Sequence, residues 1–270
     1  MTNNNTDPNA HTDSLPNDIL IDIKNYHKQY RETVAVEDLS FEVRAGDILG
    51  LVGPNGAGKT TTLRALCGII TPTRGELLIS GNDILDDPVA AKRQLAYVPD
   101  DPRLFDSLTI WEHIKFIASA YRVLDYQDKA NQLLKLFDLE EKRDSIAVEL
   151  SRGMRQKVAI CCAYLHDPRI ILFDEPLTGL DPRAIRSLKA SIIERAQSGA
   201  AVVISSHLLS LVEDLCSHLL ILHRGQRIFF GSVDEARRQF KDQEGDASLE
   251  EVFFRATEDN YNSDKPLDNK

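Results

Sequence analysis

The chain has 270 residues, 42% hydrophobic and 27% charged, with a formal net charge of -10. That length suits one large α/β domain, or one domain with a sub-lobe, of ordinary globular composition. The acidic balance argues against general nucleic-acid binding, which wants a basic face, so no nucleic acid is expected among the partners. Cys67, Cys161, Cys162 and Cys216 form no CxxC pair and no HExxH occurs, so buried, reduced thiols are expected rather than a metal centre built on them.

Residues 1–18 are polar and Asn-rich, with neither a basic start nor an apolar core. They read as a disordered tail and not as a secretory signal. No repeat of fixed period is visible. The segments LSFEVRAGD (39–47) and ELLISG (76–81) predict an antiparallel layer closing with Gly turns. DILGLV (47–52), RIILF (169–173), AAVVIS (200–205) and HLLILH (218–223) predict further strands. The runs at 47–52 and 169–173 are nearly all apolar, as parallel strands covered on both faces should be. Over 101–167 the pattern turns helical, with SLTIWEHIKFIASAYRV, YQDKANQLLKLFDL and GMRQKVAICCAYL. Thr109 and Glu112 make a T-x-x-E capping box for the first of these. Met154, Val158, Cys161 and Leu165 share one face of the last. The apolar run VAICCAYL falls far short of the ~20 residues of a membrane-spanning helix. The expected organisation is a polar tail over 1–18, a domain over 19–240 carrying a helical insertion at about 101–167, and an acidic tail over 241–270 in which SLEEVFFRAT forms a short helix.

The chemistry begins at GPNGAGKT, residues 53–60, which fits G-x-x-x-x-G-K-[ST] between an apolar strand and the helical TTLRALCGII. Gly53, Pro54, Asn55, Gly56, Ala57 and Gly58 supply a loop that can curl its N–H groups inward, toward an anion at a helix start. Lys59 is placed to reach β- and γ-phosphates, and Thr60 to ligate Mg²⁺. IILFDEP then runs into Asp174 and Glu175 at the end of a strand, where ligands sit in doubly wound sheets. Asp174 is a candidate Mg²⁺ ligand and Glu175 a candidate base for an attacking water. Nucleoside triphosphate hydrolysis is the activity these residues favour. LSRGM, from Leu150, is a second helix start suited to an anion, far along the chain from the first.

From about residue 19 to 257 the chain resembles the ATP-binding subunits of ABC transporters. The likeness rests on an ordered set: Tyr30, the loop at 53–60, YVPDD, LSRGM, ILFDEP, GLDP and SSH. It implies an α/β P-loop NTPase fold with a mostly parallel core sheet, an antiparallel β layer and an inserted helical subdomain. It implies that Tyr30 stacks on adenine, although a surface Tyr in a Lys-rich turn is the alternative. Thr61 would touch the α-phosphate and His207 the γ-phosphate. Ser151 and Gly153 would face the γ-phosphate held by a second ATPase subunit, identical or paralogous, paired head-to-tail. Asp181 would reach toward that partner, and the pair Asp181-Pro182 is also a good helix start. Three residues depart from the common pattern: Arg152 and Met154 stand in LSRGM where LSGGQ has Gly and Gln, and Asp100 stands where the family has Gln as a Mg²⁺ contact, with its carboxylate still a candidate acceptor from Mg²⁺-bound water. The SRGM form resembles that of bacterial exporter-type ATPases.

The resemblance further implies ATP and Mg²⁺ as cofactors, and a separate multi-span permease that docks on the helical block. Leu104, Phe105 and Trp111 are candidate apolar contacts for it, Trp111 equally a core residue of that block. The implied location is cytoplasmic, on the inner face of the cell membrane. Other readings are a soluble ABC-type ATPase acting on a macromolecule, and a non-hydrolysing regulatory module, against which intact Lys59, Asp174, Glu175 and His207 argue.

Overall fold

A computed structural model describes residues 19–207, 209–240, 249–251 and 253–254. The tail expected over 1–18, and most of the one expected over 241–270, lie outside these. Strands β1 (Ile19–Tyr30), β2 (Thr33–Arg44), β4 (Arg74–Ile79) and β5 (Asn82–Asp83) form an antiparallel sheet in the order β2-β1-β4-β5. Strands β3 (Ile48–Val52), β6 (Leu95–Val98), β7 (Ile170–Asp174), β8 (Ala201–Ser205), β9 (His218–His223) and β10 (Gln226–Ser232) form a second sheet, ordered β10-β9-β3-β8-β7-β6. In this sheet every adjacent pair is parallel except β9 and β10. Helices α1 (Lys59–Leu66), α2 (Pro88–Arg93), α3 (Ile110–Tyr121), α4 (Gln127–Leu136), α5 (Arg152–Tyr164), α6 (Pro182–Gln197), α7 (Leu209–Leu215) and α8 (Val233–Gln239) cover the sheets.

Strands β3, β7 and β8 are buried at every residue. Alternation along β7 divides them between two cores, because successive side chains in a strand point to opposite faces. Ile171 and Phe173 join Val158, Cys161, Tyr164, Leu188 and Ile192 on the side of α5 and α6. Ile170 and Leu172 join Leu63, Leu66, Phe41 and Ile79 on the side of α1 and the antiparallel sheet. The parallel sheet is therefore the middle layer, and residues at the ends of its strands meet in a crevice between the two outer layers.

The predicted strands and helices are present, with instructive differences at their margins. The segments at 39–47 and 76–81 do share an antiparallel sheet, but they do not pair with each other. β1, which the sequence reading passed over, lies between β2 and β4. Its polar, bulged backbone, with register shifts near Tyr26, hides the period-two signal. The helix read at 61–70 begins at Lys59 and ends at Leu66, and Gly68 turns the chain at φ +60°. The capping box at α3 is formed: Glu112 N–H donates to Thr109 Oγ1 at 3.2 Å, and Thr109 N–H to Glu112 Oε2 at 2.8 Å. Cys67 and Cys161 are buried while Cys162 and Cys216 are half-buried, and all four are free thiols. Burial pushes the Cys162 and Cys216 thiols up to about 12, which makes them poor nucleophiles. At the far end, Leu249–251 and 253–254 are helical, and Leu249 is buried against Val233 and Phe229.

Phe173 carries much of the join between α5 and β7. It is fully buried and meets Tyr164 edge-on, with ring centroids 6.3 Å apart at 84°. Phe173→Ala is expected to destabilise the chain by about 3–5 kcal/mol, from lost burial and the cavity left behind. Urea unfolding followed by circular dichroism checks this; a midpoint like that of the wild type would contradict it.

Candidate functional site

The loop between β3 and α1 is shaped by its neighbours as much as by its own glycines. A Cβ on Gly53 would lie 2.3 Å from the Leu222 carbonyl oxygen, and one on Gly58, at φ +104°, would lie 2.7 Å from the Ala35 carbonyl. Only glycine lets the chain pass between β9 and β2 and still turn into the helix. The loop opens onto a cavity of about 280 Å³ lined by Ala35, Asn55–Thr61, Asp100, Asp174 and Glu175.

The Lys59 ammonium is buried at the foot of this loop and donates to the carbonyls of Gly53 at 2.7 Å and Pro54 at 3.2 Å. Burial holds it below the ordinary lysine value, and the Glu175 and Asp174 carboxylates oppose that shift. Thr60 Oγ1 donates to Asp174 Oδ1 at 3.2 Å, although the two residues are 114 apart in sequence. Asp174 is almost wholly buried. Its charge is tolerated because two further hydroxyls donate to it: Ser205 to Oδ1 at 2.5 Å and Tyr97 to Oδ2 at 3.2 Å. Burial, reinforced by Asp174, raises the Tyr97 phenol well above its ordinary value and keeps it a proton donor.

Glu175 follows with φ +50°, a left-handed conformation that costs a non-glycine residue about 1–2 kcal/mol. Its N–H is held by the Ser205 carbonyl at 3.0 Å. This turn takes the carboxylate out of the strand and into the cavity wall, where Oε2 lies 2.9 Å from His207 Nδ1. An ionised carboxylate only accepts, so Nδ1 is the protonated nitrogen of that pair.

The oxygens of Thr60 and Asp174 form a hard, anionic donor pair beside the phosphate-sized cavity. That set fits Mg²⁺, which takes one or two protein oxygens and leaves the rest to water and phosphate. No cluster of three or more His, Cys, Asp or Glu that could hold a metal occurs among the described residues.

The remaining sequence candidates stand apart from this cavity or at its rim. Tyr30 ends β1, nearly half exposed, with the Lys28 ammonium 4.7 Å from its ring centroid. Ser151 caps α5, accepting from Met154 N–H at 3.2 Å. Gly153 lies against the turn after Glu175: a Cβ there would be 2.3 Å from the Gly179 carbonyl oxygen. Asp181 caps α6 through Ala184 N–H at 2.9 Å, and its other oxygen takes Lys157 Nζ at 2.7 Å. Those bonds hold its carboxyl below the usual carboxylate range. Asp100 lines the cavity with its carboxylate turned toward Arg152. On the helical block Phe105 is exposed, edge-on to Phe116 at 5.4 Å, whereas Trp111 is half-buried under Arg143 and beside Tyr126.

Sequence reasoning missed Tyr97 and Ser205. Ser205 faces Asp174 in the β7–β8 register, but a lone Ser at a strand end carries no signal until that register is known.

Comparison with known proteins gives a single answer. Residues 36–178 match the family model described as "ABC transporter". The ABC-type transporter ATP-binding protein EcsA of Bacillus subtilis is 34% identical over 242 residues, covering 89% of this chain and 97% of that protein. The SkfA peptide export ATP-binding protein SkfE of the same organism is 35% identical over 209 residues, covering 77% of this chain and 87% of that one. A solved ATP-binding subunit of an ABC transporter superposes with a TM-score of 0.84 at 38% identity, over 88% of this chain and 99% of that one.

The contact between Gly153 and Gly179 yields a test. Gly153→Ala should force the two backbones apart at a cost of about 1–3 kcal/mol, lowering the melting temperature by several degrees. Thermal unfolding reads it directly; an unaltered melting temperature would mean the two segments do not touch in solution.

Proposed function

The chain belongs to the ABC transporter family as an ATP-binding, ATP-hydrolysing subunit, and from that premise we propose how its own residues carry out the cycle. The observation that carries the reading is the bond between Thr60 and Asp174, which joins the phosphate loop to the acidic end of β7.

The loop at 53–60 would wrap the phosphates with its N–H groups, and Lys59 would exchange the Gly53 and Pro54 carbonyls for β- and γ-phosphate oxygens. Thr60 and Asp174 would hold Mg²⁺, which when bound supplies charge neutralisation at the phosphates. Ser205 and Tyr97 keep the Asp174 carboxylate aimed. Glu175 would orient the attacking water and take its proton, while His207 holds Glu175 in place and contacts the γ-phosphate. Tyr30 would stack on adenine and Thr61 would meet the α-phosphate.

Two such subunits, identical or paralogous, would close head-to-tail. Ser151 and Gly153 of one, at the α5 N-terminus, would cover the triphosphate of the other, with Asp181 beside them. Closing and opening would move a separate multi-span permease as a rigid body. No helix among the described residues is long and apolar enough to cross a membrane, and in this reading the permease supplies the span. The working unit would be the domain at 19–240 with its helical subdomain at about 101–167, held at the inner face of the membrane through the permease. Similarity to SkfE, whose name specifies peptide export, favours export as the direction.

Glu175→Gln is expected to lower ATP turnover by about 10²–10⁴-fold while ATP still binds, so that an ATP-loaded dimer accumulates. Light scattering with ATP and Mg²⁺ checks it; a persistent monomer together with undiminished phosphate release would sink the role given to Glu175. Lys59→Ala should lose nucleotide binding, measured by titration with a fluorescent ATP analogue; unchanged affinity would contradict the phosphate-loop assignment.

A further inference from the structure

Two of the three positions at which this chain departs from the family's common residues, Asp100 and Arg152, meet in space; the third is Met154. Arg152 Nη2 donates to Asp100 Oδ1 at 2.8 Å and lies 3.4 Å from the Asp100 carbonyl oxygen. Arg152 is the first residue of α5, between the Ser151 cap and Gly153. Its side-chain carbons also lie 3.5 Å from the position a Cβ on Gly179 would occupy. One side chain thus spans the exit of β6, the start of α5 and the turn after β7.

The cavity beside it has an electrostatic problem. Asp100, Asp174 and Glu175 all line it, so three acidic residues surround a site that must accept a triphosphate. Asp174 is bonded to three hydroxyls and Glu175 to His207. Arg152 is the cation paired with Asp100.

We propose that Arg152 is a positioning residue whose ion pair draws Asp100 away from the incoming phosphates and pins the start of α5 to the exit of β6. The inference rests on the reading of 53–60 as the triphosphate site. Both members of the pair are roughly half exposed, at 45% and 47%, so the pair adds little to the stability of the fold. Its weight falls on the ligand. Without Arg152, the Asp100 carboxylate stands unpaired beside the phosphates and repels them. Without both charges, the repulsion is gone. The two substitutions therefore compensate, and the proposal predicts that they are not additive.

The test is a double-mutant cycle on the full chain: wild type, Arg152→Ala, Asp100→Asn and the double variant. Each is titrated with a fluorescent ATP analogue and Mg²⁺ at low and high salt, and KM and kcat are measured for ATP. Arg152→Ala is expected to weaken binding roughly fivefold, more at low salt than at high, and to raise KM more than it lowers kcat. The double variant should recover most of that loss, and Arg152→Lys should retain part of the wild-type affinity. If the double variant binds as weakly as Arg152→Ala, or if Arg152→Ala binds like wild type, the proposal is overturned. Lys59→Ala separates this from failure of the site itself. If it loses nucleotide while all four members of the cycle bind alike, only the ion pair is wrong. If it binds like wild type, the triphosphate site is wrong and the pair falls with it.

Discussion

The site turns on one buried carboxylate. Asp174 sits at the end of a strand with no exposed residue, where an uncompensated charge would cost several kcal/mol. Three hydroxyls from three separate elements make it tolerable: Thr60 from α1, Ser205 from β8 and Tyr97 from β6. Each bond therefore does two things. It stabilises the ion, and it fixes one element of the site relative to the others. An apolar residue at 174 would relieve the desolvation cost and leave the phosphate loop without its anchor to the sheet.

The chemistry around Asp174 follows from where the middle layer ends. The parallel strands are apolar on both faces because both faces are covered. Polar residues are accommodated where the strands run out, and there they converge: the loop after β3, Asp174 at the end of β7 with Glu175 beyond it, and Ser205 at the end of β8 with His207 beyond it. Glu175 leaves the strand through a strained left-handed turn, and the Ser205 carbonyl holds it there. Strain of this kind is kept where it points a side chain at a cavity.

The start of α5 is a second centre built against the first. Gly153 touches Gly179 backbone to backbone, and Lys157 reaches Asp181. The turn between Glu175 and Asp181 is thereby packed between the acidic end of β7 and the α5 N-terminus.

Much of the site was legible in the order of residues. The spacing of glycines before Lys59, the apolar run into Asp174 and Glu175, the caps at Thr109, Ser151 and Asp181, and the all-apolar parallel strands are local patterns, each fixed by backbone geometry within a few residues. What could not be read locally was decided by pairing and packing. β1 enters between β2 and β4 despite a polar, bulged pattern, because the sheet has a place for it. Tyr97 and Ser205 become partners of Asp174 only when β6 and β8 flank β7 in parallel register. Asp100 and Arg152, 52 residues apart, looked like two unrelated departures until the fold placed them 2.8 Å apart. Sequence alone determined which residues could do phosphate chemistry, since that depends on their types and close spacing. Tertiary structure alone decided which groups keep those residues charged, aimed and paired, because hydrogen bonds between distant segments depend on register, which no local spacing encodes.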